Sequence, residues 1–238
     1  MKRPKTMILI GIILLLTGCT DFFMICSLNP FYLEKNIRLM PEIEGKWSGL
    51  PIYSAISNKA NGHDVWRQMD TTAVWTIKRA FSKETRKTKQ GKDSVVFTPM
   101  DHYNVKLQST LADSTRYHFW MVLFTVDKGM YADFMPMENT GLEKSRFAIE
   151  SYYKIHTLAR IDLSGNRFKI AWLGAEQMKE MIEKKRVRVN YQWSNSTNRL
   201  LLTGSSEQLT GMIEKYAGEA RFIDWDNQPA MLKLTRLN

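Results

Sequence analysis

Cysteine is scarce in this chain. Cys19 and Cys26 are the only two in 238 residues, which excludes a disulfide framework and any metal site built on spaced cysteine pairs. Histidine is nearly as scarce: His63, His102, His118 and His156 fall in four separate segments. There is no Gly-x-Ser-x-Gly nucleophile elbow, no His-Glu-x-x-His zinc helix and no phosphate-binding loop. No stretch approaches 18 consecutive apolar residues, the minimum for a helix that spans a bilayer. These absences predict a domain held together by packing, with no metal, no cofactor and no catalytic activity. There is also no internal repeat and no low-complexity segment.

Acidic residues are outnumbered. The chain has 34 Lys and Arg against 24 Asp and Glu, a formal charge of +10. The bases are scattered, and the densest run, Lys83 to Lys92, has no apolar periodicity. It reads as a solvated loop rather than a binding site.

What is present begins at the N-terminus. Lys2, Arg3 and Lys5 precede an apolar run from Met7 to Leu16, broken only by Gly11. Leu16-Thr17-Gly18-Cys19 follows. This pattern describes a secretory signal, and its ending resembles the lipobox of bacterial lipoproteins. The resemblance implies that residues 1–18 are a signal peptide, that cleavage precedes Cys19, and that Cys19 is acylated. Cys26 fits less well, because Phe23, Met24 and Ile25 are bulky where such a peptidase takes small residues. Two acyl chains anchor stably where one does not. Thr20 follows Cys19, which in that family favours sorting to the outer membrane.

Losing residues 1–18 leaves 220 residues and removes three bases, so the formal charge falls from +10 to +7. That balance suits mild attraction to anionic headgroups or acidic glycans. Nucleic acid is not an expected partner of an envelope lipoprotein. Residues 19–43 read as a lipidated tether, though Phe22, Phe23, Phe31 and Tyr32 place it against the domain or the membrane. Residues 44–238 read as a single β-rich domain.

The domain is patterned mostly for strands. Thr72 to Lys78 alternates with Ala73, Trp75 and Ile77 on one face. Ser94–Phe97, Tyr103–Thr110, Tyr117–Val126 and Met130–Met135 follow, the last two joined by Asp127-Lys128-Gly129 as a tight turn. Tyr117–Val126 is apolar on both faces, as a strand covered on both sides would be. Ser151–Leu163, Phe168–Trp172, Val187–Trp193, Leu200–Thr203, Ala220–Trp225 and Met231–Leu234 complete the set. Two amphipathic helices interrupt it. Ala175–Lys185 carries Met178, Met181 and Ile182 on one face. A second starts at a Ser205/Gln208 capping box, with Leu209, Met212, Ile213 and Tyr216 as its stripe and Gly218 as its C-cap. The predicted fold is mainly β: an antiparallel barrel or strongly curved sheet of about ten strands, with both helices packed on it.

Few polar groups stand out. Asp133 is a carboxylate on an apolar strand and must be paired if buried. His156 and Arg160, four apart on a strand, share a face. Asp133, His156 and Arg160 are the candidate ligand-binding cluster, with structural glue as the alternative. Should they converge on a pocket, a carboxylate–histidine hydrolase becomes the rival function. His118 reads as a core or rim histidine, and Glu138 and Glu143 as solvated loop residues.

Gly45-Lys46-Trp47 resembles the Gly-x-Trp signature that opens a lipocalin barrel. The resemblance implies that Trp47 closes one barrel end, with Arg236 stacked on it. The chain is also similar to lipoproteins of unassigned function from Bacteroidetes-type bacteria. That likeness rests on Cys26-Ser27-Leu28-Asn29-Pro30-Phe31-Tyr32, Glu44–Trp47, Tyr131–Pro136 with His156 and Arg160 after it, Trp172-Leu173 and Leu202-Thr203. It implies an envelope location and a lipocalin-like fold, and no activity. The function expected is therefore a non-catalytic, membrane-anchored envelope lipoprotein. It would bind a small apolar or amphipathic ligand or an envelope protein partner. The alternatives are the hydrolase and a structural subunit of an outer-membrane assembly.

Overall fold

The computed structural model describes residues 24–54, 66–68, 73–87, 93–109, 116–137, 155–194, 199–217, 222 and 230–237. Its strands are β1 (Cys26–Ser27), β2 (Gly45–Ser54), β3 (Trp66–Gln68), β4 (Ala73–Lys87), β5 (Asp93–Ser109), β6 (Arg116–Val126), β7 (Gly129–Pro136), β8 (His156–Ser164), β9 (Arg167–Trp172), β10 (Tyr191–Ser194), β11 (Arg199–Leu202) and β12 (Ala230–Arg236). Two helices, α1 (Ala175–Glu183) and α2 (Ser206–Tyr216), lie between β9 and β12.

The fold is mainly β, one large sheet with two helices. Strands β2, β4, β5, β6, β7, β8, β9 and β12 pair antiparallel, each with the next. Strand β12 then returns to β2, in register from Ala230↔Tyr53 to Arg236↔Trp47. The eight strands thus close a hydrogen-bonded ring whose order follows the sequence. Closure removes the free edges that an open sheet exposes. One end of the ring has tight turns: Asp127-Lys128 joins β6 to β7, and Gly165-Asn166 joins β8 to β9. Asp127 and Gly165 take the positive φ such turns require, 51° and 57°. The connections at the other end, the mouth, are the longer ones.

Period-two alternation sorts the side chains. Trp47, Trp75, Ile77, Tyr103, Val105, Met121, Leu123, Phe134, Ile161, Phe168, Trp172 and Leu234 face inward and form one buried cluster. Phe124, Val126, Tyr131 and Leu158 face outward but are equally buried. The helices and the N-terminal segment cover them. Thus β6 is apolar on both faces because it is covered on both. Helix α2 presents Leu209, Met212, Ile213 and Tyr216, as its periodicity predicts, and Thr210 as well. Ser205 and Gln208 form the reciprocal capping box.

Residues 24–43 are built into the body. Strand β1 inserts at the mouth end, antiparallel to the start of β8 and parallel to β11. It occupies the side of β8 that β9 vacates. The chain then crosses β7 and β6 on the outside. Ile37 bridges Phe124, and the Arg38 N–H donates to the Leu123 carbonyl at 2.9 Å. That edge of β6 is open because β5 has turned away into a long hairpin with β4. We call residues 24–40 the strap.

Some elements differ from expectation. Lys83 to Lys87, read as loop, is strand: β4 and β5 continue past the ring as a two-stranded hairpin paired from Phe81↔Pro99 to Lys87↔Asp93. Charged side chains do not disfavour an extended chain when both faces meet water. The segments Ser94–Phe97 and Tyr103–Thr110 are one strand, with a bulge opposite at Arg79/Phe81. Strand β10 begins at Tyr191, not Val187, and α1 ends at Glu183. The two-residue β1 is too short to show periodicity. Ala220–Trp225 lies outside the described residues apart from Phe222, a buried turn residue. His63, Glu138, Glu143 and Gly218 also lie outside them.

Candidate functional site

The tight-turn end of the ring is sealed from the sequence upward. Pro41–Ile43 forms a 3-10 turn, begun by the fixed φ of Pro41. It brings Ile43 over the ring interior, fully buried. The Trp47 indole N–H donates to the Ile43 carbonyl at 2.8 Å. Arg236 sits directly across from Trp47, its guanidinium 4.5 Å from the ring centroid, and donates to the Glu42 carbonyl. Gly45 has φ +133°, and a Cβ there would lie 3.1 Å from the Arg236 guanidinium. Glycine therefore serves twice, as a backbone that residues with side chains avoid and as space for the arginine. Trp47 is completely buried against Phe168, with ring centroids 5.5 Å apart.

Asp133, His156 and Arg160 share the outer face of the ring. The structure brings the first two together: Asp133 Oδ1 and His156 Nδ1 are 2.8 Å apart. Arg160 is directly across from Tyr131, whose phenol it influences, rather than from Asp133. The second oxygen of Asp133 accepts the Phe31 N–H at 2.9 Å. The carbonyl of the same Phe31 accepts the Thr210 hydroxyl at 3.2 Å. Both backbone groups of one strap residue are thus satisfied by buried side chains, one from β7 and one from α2. Asn29 adds a side-chain donation to the Gly204 carbonyl at 2.9 Å.

Burial pushes the Asp133 carboxyl above its ordinary range, while His156 and the Phe31 N–H pull it back. Burial, with Asp133 and Glu34 nearby, pushes the Tyr32 phenol up to about 12.

Sequence reading did not single out Ser27. It pairs with His156 across β1 and β8, which gives a Ser–His–Asp composition. Its surroundings are closed to substrate. Ser27 is fully buried and its Oγ accepts the Asn29 N–H at 3.1 Å. The strap itself occupies the carboxylate. The cluster works as a latch that holds the strap down.

Inside the ring, Trp75, Phe134 and Trp172 pack as an aromatic trio with centroids 5.5–6.3 Å apart. The Trp75 indole N–H is buried and has no hydrogen-bond partner among the described residues. Two surface hollows border the strap and α1, about 540 and 400 Å³ in volume. Neither opens into the ring. Beyond the sealed end, the β4–β5 hairpin exposes Phe81 (54 %) and Phe97 (63 %), with Val95 also exposed. Register puts all three on one face with Lys83, Lys87 and Asp93. The other face carries the Glu84–Arg86 ion pair. His118 is half-buried on β6, and His102 lies 5.4 Å from Trp120 on neighbouring strands.

Among the described residues, no cluster of three or more His, Cys, Asp or Glu is placed to hold a metal. Among them, no helix is long and apolar enough to cross a membrane. No family model, curated protein or solved structure matches the chain.

Proposed function

We propose that the chain is a non-catalytic envelope lipoprotein, acylated at Cys19, that docks an envelope protein partner through the β4–β5 hairpin. The observation that carries this reading is the hairpin itself. Phe81, Val95 and Phe97 are exposed together on one face of a two-stranded ribbon outside the ring. Such a ribbon gains little stability from its own pairing, and a contiguous exposed apolar face is a mark of an interaction site. Placement of the anchor at Cys19 rather than Cys26 has separate support. Cleavage before Cys26 would discard Ile25, which is fully buried and donates its N–H to Leu173 at 2.9 Å.

Sequential closure of the ring, with Gly45, Trp47 and Arg236 sealing one end, supports the lipocalin-like reading of the fold. A second reading, an amphipathic ligand taken up through the mouth, is favoured by one feature. The unpartnered Trp75 N–H would be satisfied by a carbonyl, carboxylate or ether oxygen.

The test has two arms. Metabolic palmitate labelling should be lost in Cys19→Ala and retained in Cys26→Ala. Pull-down from native membranes should recover a defined partner with the native chain, and lose it with Phe81→Ser/Phe97→Ser at an unchanged melting temperature. The partner surviving that double substitution would refute docking through the hairpin.

A further inference from the structure

The strap fixes where an anchored chain leaves the body. Met24 bridges Gly174, the Ile25 N–H donates to Leu173, and Cys26 and Ser27 pair with the first residues of β8. All of these contacts are at the mouth end, where β8 begins and β9 finishes. Ile25 is fully buried, so the chain is already packed into the body at this rim. Cys19 precedes Met24 by five residues, which span at most about 18 Å when fully extended.

The hairpin leaves from the opposite end. Strand β4 runs toward the sealed end, from Ala73 opposite Gly49 to Ile77 opposite Gly45, and continues to Lys87. Eight residues past Arg79 extend about 26 Å at ~3.3 Å each. The ring stands between this ribbon and Met24.

We propose that the mouth end of the ring is the surface that lies against the lipid bilayer, with the hairpin directed away from that membrane. The inference rests on acylation of Cys19 and goes beyond it. The short tether decides the matter. With its acyl chains in the bilayer, Cys19 holds the rim at Met24 and Gly174 within that reach, and the sealed end cannot take the rim's place. The occupant of the mouth surface is therefore lipid. The apolar face of the hairpin is left to a partner in the aqueous space or on a facing layer.

The test is energy transfer in reconstituted vesicles. The full-length, acylated protein carries Cys26→Ser and one donor dye, either at Gln108→Cys or at Thr85→Cys. Gln108, on β5, lies toward the mouth and Thr85 lies on the hairpin, and both are exposed. The vesicles contain an acceptor-labelled lipid at low density. Strong transfer at position 108 and near-complete loss of transfer at position 85 are expected. Equal transfer at both positions, or stronger transfer at 85, overturns the orientation even when the protein floats with the vesicles. Failure of the native chain to take up palmitate and float refutes the anchor reading, and the orientation with it. The two failures are therefore distinguishable.

Discussion

Two side chains were legible in the sequence because their chemistry is unusual for their positions. A tryptophan two residues after a glycine, and an arginine close to the C-terminus, are large groups that need partners. In the structure each is the other's partner, 4.5 Å apart over the ring. Their removal should be costly. Trp47→Ala deletes a fully buried indole, its hydrogen bond to Ile43 and its packing on Phe168. A loss of about 3–5 kcal/mol is expected, read as a lower midpoint in denaturant. A midpoint within error of the native one would show that Trp47 does not close the ring. Asp133 was legible too, as a carboxylate on an apolar strand. What it holds was not, because a backbone N–H such as that of Phe31 has no sequence signature. Asp133→Ala leaves that N–H and the His156 Nδ1 without their partner, at an expected cost of about 1–3 kcal/mol for each group. Asp133→Asn keeps a carbonyl oxygen for Phe31 and should cost far less. Equal losses for Ala and Asn would show that charge, not the acceptor, is what the latch requires.

At the scale of elements, the long alternating strands and both helices could be read in advance, since their apolar faces are fixed by a single period. The strap and the hairpin could not. The strap is nearly without regular structure, and its order comes from partners distant in sequence: His156, Leu173, Leu202, Asp133 and Thr210. Sequence fragments that looked unrelated, Cys26–Tyr32, Tyr131–Pro136, Trp172-Leu173 and Leu202-Thr203, meet along this one seam. The hairpin was hidden by its lysines, which suggest a loop until the register with Val95 and Phe97 is known.

The strap also predicts a pH response. Tyr32 packs on Phe124 with centroids 5.8 Å apart, and its phenol is pushed from 10.0 to about 12. Burial raises Tyr103 and Tyr131 in the same direction. A phenol whose folded pKa exceeds its unfolded value contributes stability that is complete below pH 10 and lost as pH rises through the folded value. The melting temperature should therefore begin to fall above about pH 10, and Tyr32→Phe should make that fall shallower. An ultraviolet absorbance titration should show Tyr32 ionising later in the native chain than in denaturant. Identical titration curves would mean that the strap does not bury Tyr32.

For the whole molecule, the sequential ring is the simplest closure available to alternating strands joined by turns, which is why fold class was accessible from pattern alone. The departure from simplicity is the excursion between β9 and β12. It carries both helices and β10–β11, and with the strap it builds a second core on the outside of the ring. That outer core has a consequence for chemistry. Ser27, His156 and Asp133 are neighbours on the outer face of the ring, inside this second core rather than beside either surface hollow. Composition alone would suggest catalysis. Accessibility argues against it, because Asp133 and Ser27 have almost no exposed surface and Phe31 already occupies the carboxylate. A catalytic base must reach the proton it removes, and its nucleophile must reach substrate. The native chain should therefore give no turnover of esterase, glycosidase, peptidase or phosphatase substrates above the level of His156→Ala. Both Ser27→Ala and His156→Ala should register as changes in melting temperature instead. Turnover by the native chain that vanishes in both variants would convert the latch into an active site, and would require the strap to open before substrate could enter.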